Sequence, residues 1–256
     1  MTELHTRAVT IGVTDYGDSD KIVTFYSEKF GKITGIAKGA KRSKKRFVNK
    51  LEFFSLLDLT LNSSGKSPLL RLDQAEIIKT FHTLCEDYRK YTAAMLIIEL
   101  IRVLTRENDR DEDLFQLLTW GLEILIKKDE IAETLALFQL KLLDITGFLP
   151  QLTRCVFCRR EPSGRSAFVP SADGILCPDC LPLTDLSPLK KLSLNTIKTL
   201  KMARSLPLEK LSRIKLTYNS SLESLQMFKT CITYLLQREI LSWQEFEKII
   251  GTKNKN

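Results

Sequence analysis

The apolar positions change period along the chain. Up to about residue 80 they come in short runs, "AVTIGV", "KIVTFYS", "KITGIA", "FFSLLDLTL" and "LLRLDQAEII", rich in β-branched and aromatic residues and partly alternating with polar ones. Turn signals separate the runs: "DYGDSD", "KFGK", a basic stretch, and "NSSGKSP". The pattern predicts five β-strands. Five strands in so short a segment suit a small closed barrel, of the OB or of the SH3-like kind, and strand count alone does not separate the two.

From about Thr83 the period becomes helical. Ala94, Ile97, Ile98, Ile101 and Leu104 recur at spacings of three and four, as do Leu114, Leu117, Leu118, Leu122 and Leu125, then Leu135, Phe138, Leu142 and Ile145. Breaks fall at "RENDRDED" and "KKDE", and "GFLP" stops the third helix with Gly147 and Pro150. Helical spacing returns over 189–204, 222–237 and 243–250, before a polar tail "GTKNKN". Leu222, Leu225, Phe228, Ile232 and Leu235 need a partner face, so the late helices are expected to complete the bundle begun by the first three. Such stripes are core, and Cys85 and Cys231, both on apolar helical faces, read as buried packing residues.

Between the two helical regions stand "CVFC" and "CPDC". Cys155, Cys158, Cys177 and Cys180 thus form C-x2-C, eighteen residues, C-x2-C, the spacing of a four-thiolate zinc site. Each knuckle supplies two sulfurs from one turn, and two knuckles complete a tetrahedron. A filled shell leaves no position for water or substrate, so the expected Zn²⁺, one per chain, is structural. Arg154, Arg159, Arg160 and Arg165 nearby either offset the negative metal centre or reach a polyanion.

At 256 residues, 43% apolar and 27% charged, the chain has the balance of a globular protein. No run reaches the roughly 18 uninterrupted apolar residues of a membrane span, and "MTELHTRAVT" lacks a signal-peptide profile, so a cytoplasmic, nucleoid-associated protein with no membrane partner is expected. The net charge of +8 is uneven: Lys plus Arg against Asp plus Glu is 14 to 9 over residues 1–80, 9 to 13 over 81–154, and 16 to 9 over 155–256. Two basic ends around an acidic middle suit a polyanionic partner. Seven cations crowd into thirteen residues at 38–50, "KGAKRSKKRFVNK", between two predicted strands. Lys38, Lys41, Arg42, Lys44, Lys45 and Arg46, with Lys50, would line one rim of the barrel, and Phe47, Tyr16, Phe25 and Tyr26 are the neighbouring aromatics for base stacking, as single-strand binding requires. A second basic set, Lys190, Lys191, Lys198, Lys201, Arg204, Lys210, Arg213 and Lys215, is either an extension of that track or an exposed helical face.

Signs of catalysis are sparse. The chain has two histidines, His5 and His82. "SGKS" at 64–67 falls short of a phosphate loop, because Thr60 stands where the first glycine belongs, and it reads as a hairpin turn. Neither histidine starts the H-x-E of a zinc deaminase. Asp15, Asp18 and Asp20 of "DYGDSD" read as a solvated turn, with a cation-dependent nuclease as the remote alternative.

"DYGDSDKIVTFYSEKFGKITGIAKGAKRSKKRF", "LEFFSLLDLTL", "GFLPQLTRCVFC" and "SADGILCPDC", in that order along essentially the whole chain, resemble the bacterial recombination-mediator RecO family. The resemblance implies an α+β multi-domain protein: an N-terminal five-stranded OB-fold barrel over 1–80, and a C-terminal helical bundle over 81–154 and 183–256 with an inserted four-cysteine zinc finger over 155–182. It implies no enzymatic turnover. It implies instead binding to single- and double-stranded DNA through Lys38, Lys41, Arg42, Lys44, Lys45, Arg46 and Phe47, and annealing of complementary strands. The implied partners are the ring-forming RecR and the acidic C-terminal tail of the single-strand-binding protein SSB, with RecA loaded indirectly. The groove for that tail is sought within 188–240. Asp173 and Arg159 stand where the family pattern commonly has glycine. From another class, the alternative is a protein adaptor whose basic loop binds acidic partner tails and not DNA.

Overall fold

The computed structural model describes residues 2–63, 69–184 and 190–252. The predicted turn at 64–67 and most of the polar tail lie outside the described residues. The chain forms two compact units, Met1–Ile126 and Lys127–Asn256.

In the first unit, β1 (Thr2–Tyr16), β2 (Asp20–Ser27), β3 (Gly31–Ala37), β4 (Ser55–Ser63) and β5 (Leu70–Thr80) close into a barrel in the order β1-β2-β3-β5-β4. β4 returns antiparallel to β1, pairing Thr2 with Ser63 through to Val9 with Leu56. β3 and β5 meet in a short parallel pairing of Gly35 with Leu70 and Ile36 with Arg71. This closed order is OB-like and resolves the ambiguity that strand count leaves. Alternation does the sorting: Ile33, Gly35 and Ala37 on β3 and Leu57, Leu59 and Leu61 on β4 point inward. With Ala8, Val23, Phe25, Leu72 and Ala75 they fill the barrel.

Two helices follow in this unit. α1 (Tyr88–Leu104) begins at Asp87, whose side chain accepts the Arg89 backbone N–H at 2.8 Å, an N-cap that satisfies one orphan donor. α2 (Glu112–Lys127) starts where Asp111 accepts from the Leu114 N–H. The connection between them is strapped to the barrel: Lys32 Nζ donates to the Arg102 and Thr105 carbonyls at 2.9 and 2.7 Å, and the Asn108 N–H to the Lys32 carbonyl. Gly31, at φ +65°, permits the approach, since a Cβ there would lie 1.9 Å from the Asp109 carbonyl oxygen.

The second unit is built on α3 (Ile131–Ile145), which packs against α4 (Leu194–Arg204) and α6 (Tyr218–Leu236). Short α5 (Leu208–Leu211) and α7 (Leu241–Thr252) complete its helices. Gly147, at φ +77°, ends α3 as expected, with the Phe148 N–H returning to the Leu143 carbonyl. A small sheet runs in the order β6-β8-β7-β9 from β6 (Gln151–Cys155), β7 (Ser166–Val169), β8 (Gly174–Leu176) and β9 (Lys190–Leu192). Strand β9 corrects the helical reading of its three residues: Lys190 and Lys191 pair with Phe168 and Ala167, and the helix starts only at Leu194, capped by Ser193. None of the described helices is long and apolar enough to cross a membrane.

Candidate nucleic-acid interface and metal centre

After β3 the chain bends at Gly39, φ +69°, into a short 3-10 turn, Ala40–Arg42. Ser43 Oγ then accepts the Phe47 N–H at 3.0 Å and the Phe47 carbonyl takes the Lys50 N–H, which shapes the rest of the stretch without regular structure. Three apolar side chains fasten it. Ala40, Phe47 and Leu51 belong to the barrel core, and Phe47 is only 3% exposed. This corrects the stacking role expected of Phe47: its ring is sealed against the barrel, where no base can reach it. Phe25 and Tyr26 are fully buried as well, whereas Tyr16 at the end of β1 is 54% exposed.

The seven cations divide into two groups. Lys41 Nζ lies 3.1 Å from an Asp15 carboxylate oxygen and 3.0 Å from the Gly17 carbonyl. Arg46 donates to the Lys38 carbonyl at 2.7 Å and its guanidinium sits 4.4 Å from the Phe47 ring centroid, a cation–π cover on that anchor. Lys50 pairs with Glu76 at 2.9 Å. These three hold the loop's own shape. Lys38, Arg42, Lys44 and Lys45 are exposed and meet no acid at ion-pair distance among the described residues.

The acids of "DYGDSD" belong to the same arrangement. Asp15 faces Lys41, and Asp20 accepts the Gly39 N–H and the Ser19 hydroxyl, both at 2.8 Å. The Gly39 N–H, then Ser19, holds the Asp20 carboxyl below its ordinary value. Asp15 and Asp20 thus brace the loop, and among the described residues the group of three or more side chains placed to hold a metal is the cysteine cluster.

In the cysteine cluster the four sulfurs lie within 4.8 Å of one another. A tetrahedral zinc with Zn–S bonds of about 2.3 Å separates its sulfurs by about 3.8 Å, and Cys158 and Cys177 stand at 3.8 Å. The donors around them suit thiolates: the Cys177 N–H points at the Cys155 sulfur, 3.4 Å away, and the Arg160 backbone N–H and then its side chain hold the Cys158 thiol down at about 6. Arg160, 3.5 Å from Asp179, thus serves the metal site, and Arg165 faces Glu223 at 3.6 Å. Burial pushes Cys180 up to about 12, the cost of an apolar pocket that a bound cation would offset. Cys155 ends β6 and Cys177 follows β8, so the small sheet sets the spacing of the knuckles. The residues fit Zn²⁺.

The backbone explains two departures from the family pattern. Arg159 sits at φ +62° and Asp173 at φ +49°, both in the left-handed region that glycine enters most easily. Gly174 has no such latitude: a Cβ there would fall 2.4 Å from Val156 Cγ1 and 2.9 Å from the Gln151 carbonyl.

Three of the eight cations in the second basic set face acids, Lys201 facing Glu161 at 3.3 Å, Arg204 facing Asp144 at 2.9 Å and Lys215 near Glu130 at 3.7 Å. Cys231 is buried as expected, whereas Cys85 is exposed in a 3-10 turn and packs in no core. The region 188–240, where a groove is sought, lines most of one cleft whose members the sequence did not single out as a groove. This cleft, of about 660 Å³, is lined by Lys190, Lys229, Tyr234 and Arg238, with Glu239 and Glu247, and it shares Pro170 and Tyr234 with a pocket of about 340 Å³ lined by Phe148, Phe168 and Leu235.

Residues 1–81 match the family model described as recombination protein O N terminal, and residues 85–244 the model described as recombination protein O C terminal. The chain is 30% identical over 246 residues to the DNA repair protein RecO of Syntrophus aciditrophicus (strain SB), covering 95% of each chain. It is 35% identical over 206 residues to the DNA repair protein RecO of Symbiobacterium thermophilum, covering 78% of this chain and 79% of the relative. The Myxococcus xanthus DNA repair protein RecO is 34% identical over 173 residues, 68% and 70% of the two chains.

Proposed function

The chain belongs to the RecO family of DNA repair proteins, non-enzymatic recombination mediators, and from that premise we propose that it binds single- and double-stranded DNA at the barrel's basic loop and anneals complementary strands. The observation that carries the reading is the group of four exposed cations, Lys38, Arg42, Lys44 and Lys45, with no acid at ion-pair distance among the described residues. Annealing makes no covalent bond. Its obstacle is repulsion between two phosphate backbones, and cations that neutralise phosphates while leaving base edges free lower it. Exposed Tyr16, on the same hairpin as Asp15, supplies an aromatic face for a base in place of Phe47.

The Zn²⁺ in this proposal is structural, one per chain, held by Cys155, Cys158, Cys177 and Cys180. When bound it cross-links the two knuckles and performs no chemistry on DNA. For the acidic SSB tail, the cleft beside Tyr234 offers Lys190 and Arg238 for carboxylates, next to a Lys229 already paired with Glu247 at 2.8 Å, and the adjoining pocket with Phe148 and Leu235 for an apolar end. Together with RecR, the protein would help load RecA on SSB-coated DNA in the cytoplasm.

The test is an anisotropy titration of a labelled single-stranded oligonucleotide against salt, comparing the native chain with Lys38, Arg42, Lys44 and Lys45 all changed to Ala. Each phosphate contact contributes about −0.7 to the log–log salt slope, so the variant should bind more weakly with a slope shallower by up to about three units. Unchanged affinity and slope would refute the loop as the DNA site and favour the adaptor reading, in which the same cations meet acidic tails.

A further inference from the structure

The tip of the β1–β2 hairpin grips the start of the basic loop. Asp20 Oδ1 accepts the N–H of Gly39, the residue whose left-handed backbone begins the bend. The Lys41 N–H donates to the Ser19 carbonyl at 2.9 Å, and Lys41 Nζ reaches the Gly17 carbonyl and Asp15. The strand register leads there: Tyr16 pairs with Asp20 across β1 and β2, and Lys21 with Ala37 across β2 and β3, so the loop leaves β3 beside the hairpin tip. Charge alone makes Asp20 a misfit, because a carboxylate next to a polyanion site should weaken it.

We infer that Asp20 is a positioning residue of the DNA-binding loop: by holding Gly39 it fixes the bend that presents Lys38, Arg42, Lys44 and Lys45 together. The inference rests on the loop being the DNA site. Its physical basis is preorganisation. A loop already bent loses less conformational freedom on binding, and four cations held on one short segment meet successive phosphates without rearrangement. The role belongs to a hydrogen-bond acceptor and not to a negative charge, since an amide oxygen at the same place accepts from the same N–H. Two substitutions therefore part the two effects. Asp20→Ala removes both acceptor and charge, whereas Asp20→Asn removes the charge alone.

The experiment measures hydrogen exchange of the amides over 38–47 and oligonucleotide affinity for the native full chain, Asp20→Ala, Asp20→Asn and the four-cation alanine variant. Asp20→Ala should exchange faster over 38–47 and bind about three- to tenfold more weakly although it has lost a negative charge. Asp20→Asn should keep native exchange and bind at least as tightly as the native chain. Lys41→Met, which cuts the contacts to Gly17 and Asp15, should loosen the same amides and weaken binding, an independent reading if Asp20→Ala does not fold. Equal or tighter binding by Asp20→Ala, unchanged exchange over 38–47, or an Asp20→Asn as weak as Asp20→Ala would each overturn the positioning role. If the four-cation variant binds as the native chain does, the loop is not the DNA site, and the positioning role falls with that premise rather than by the exchange measurement.

Discussion

Between β3 and β4 the barrel carries an irregular segment, and around β7 and β8 the second unit carries the short-stranded cysteine segment. Both turn through left-handed residues, Gly39, Asn49 and Phe54 in the first and Arg159 and Asp173 in the second. What holds them differs. The basic loop drops Ala40, Phe47 and Leu51 into a core that the strands already supply. The buried cluster at the knuckles is Cys155, Val169, Leu176, Cys177 and Cys180, three of its five members cysteines, with Ala167, Phe168 and Ile175 buried outside it. A metal held by the four sulfurs would supply a cross-link of another kind. In the loop, anchoring from beneath leaves four cations unclaimed on the surface. In the finger Arg160 is spent on the site itself, held against Cys158.

The largest effect expected from this contrast follows metal removal. Structural zinc contributes on the order of 10 kcal/mol in isolated finger peptides, so a chelator in reducing buffer should abolish hydrogen-exchange protection over 151–181 while the barrel strands keep theirs. Protection that survives chelation would mean that the small sheet stands without a metal, and the contrast would be wrong. Next in size is Phe47→Ala. Deleting a buried ring costs about 3–5 kcal/mol, read as a lower urea midpoint of the barrel unit, and DNA binding should fall with it. A stability loss below about 1 kcal/mol would show that the loop is not held from beneath. Smallest are Arg159→Gly and Asp173→Gly. Relief of left-handed strain should raise the melting stability of the metal-loaded finger by about 1 kcal/mol, more for Arg159 because an aspartate tolerates that backbone better.

Much of both segments was legible in the chain. The cysteine spacing announced the four-cysteine cluster because two sulfurs per tight turn is a local rule that sequence can display. Five strands and three helices with their breaks were legible for the same reason, each being a short-range period. The roles within the basic loop were not. Composition counted seven equal cations, yet Lys41, Arg46 and Lys50 are occupied by Asp15, the Lys38 carbonyl and Glu76, partners up to 26 residues away. Phe47 read as a stacking ring because its local context is polar, and its burial depends on a barrel end assembled from distant strands. Lys190 and Lys191 read as helix because their partners, Phe168 and Ala167, lie across a knuckle.

By itself, then, the sequence determined the barrel strands, most of the helices, the four-cysteine cluster and the resemblance that leads to the RecO family, because periodicity, cysteine spacing and ordered motifs are properties of neighbouring residues. Tertiary structure decided the strand pairings that close the barrel in the OB-like order the resemblance implies, that Phe47 is an anchor, that Asp15 and Asp20 brace the loop, and which four cations meet no acid at ion-pair distance among the described residues. Those outcomes depend on pairings between residues far apart in the chain. Closing the barrel selects one set of such pairings, and until it closes each lysine in the loop is the same charge as the next.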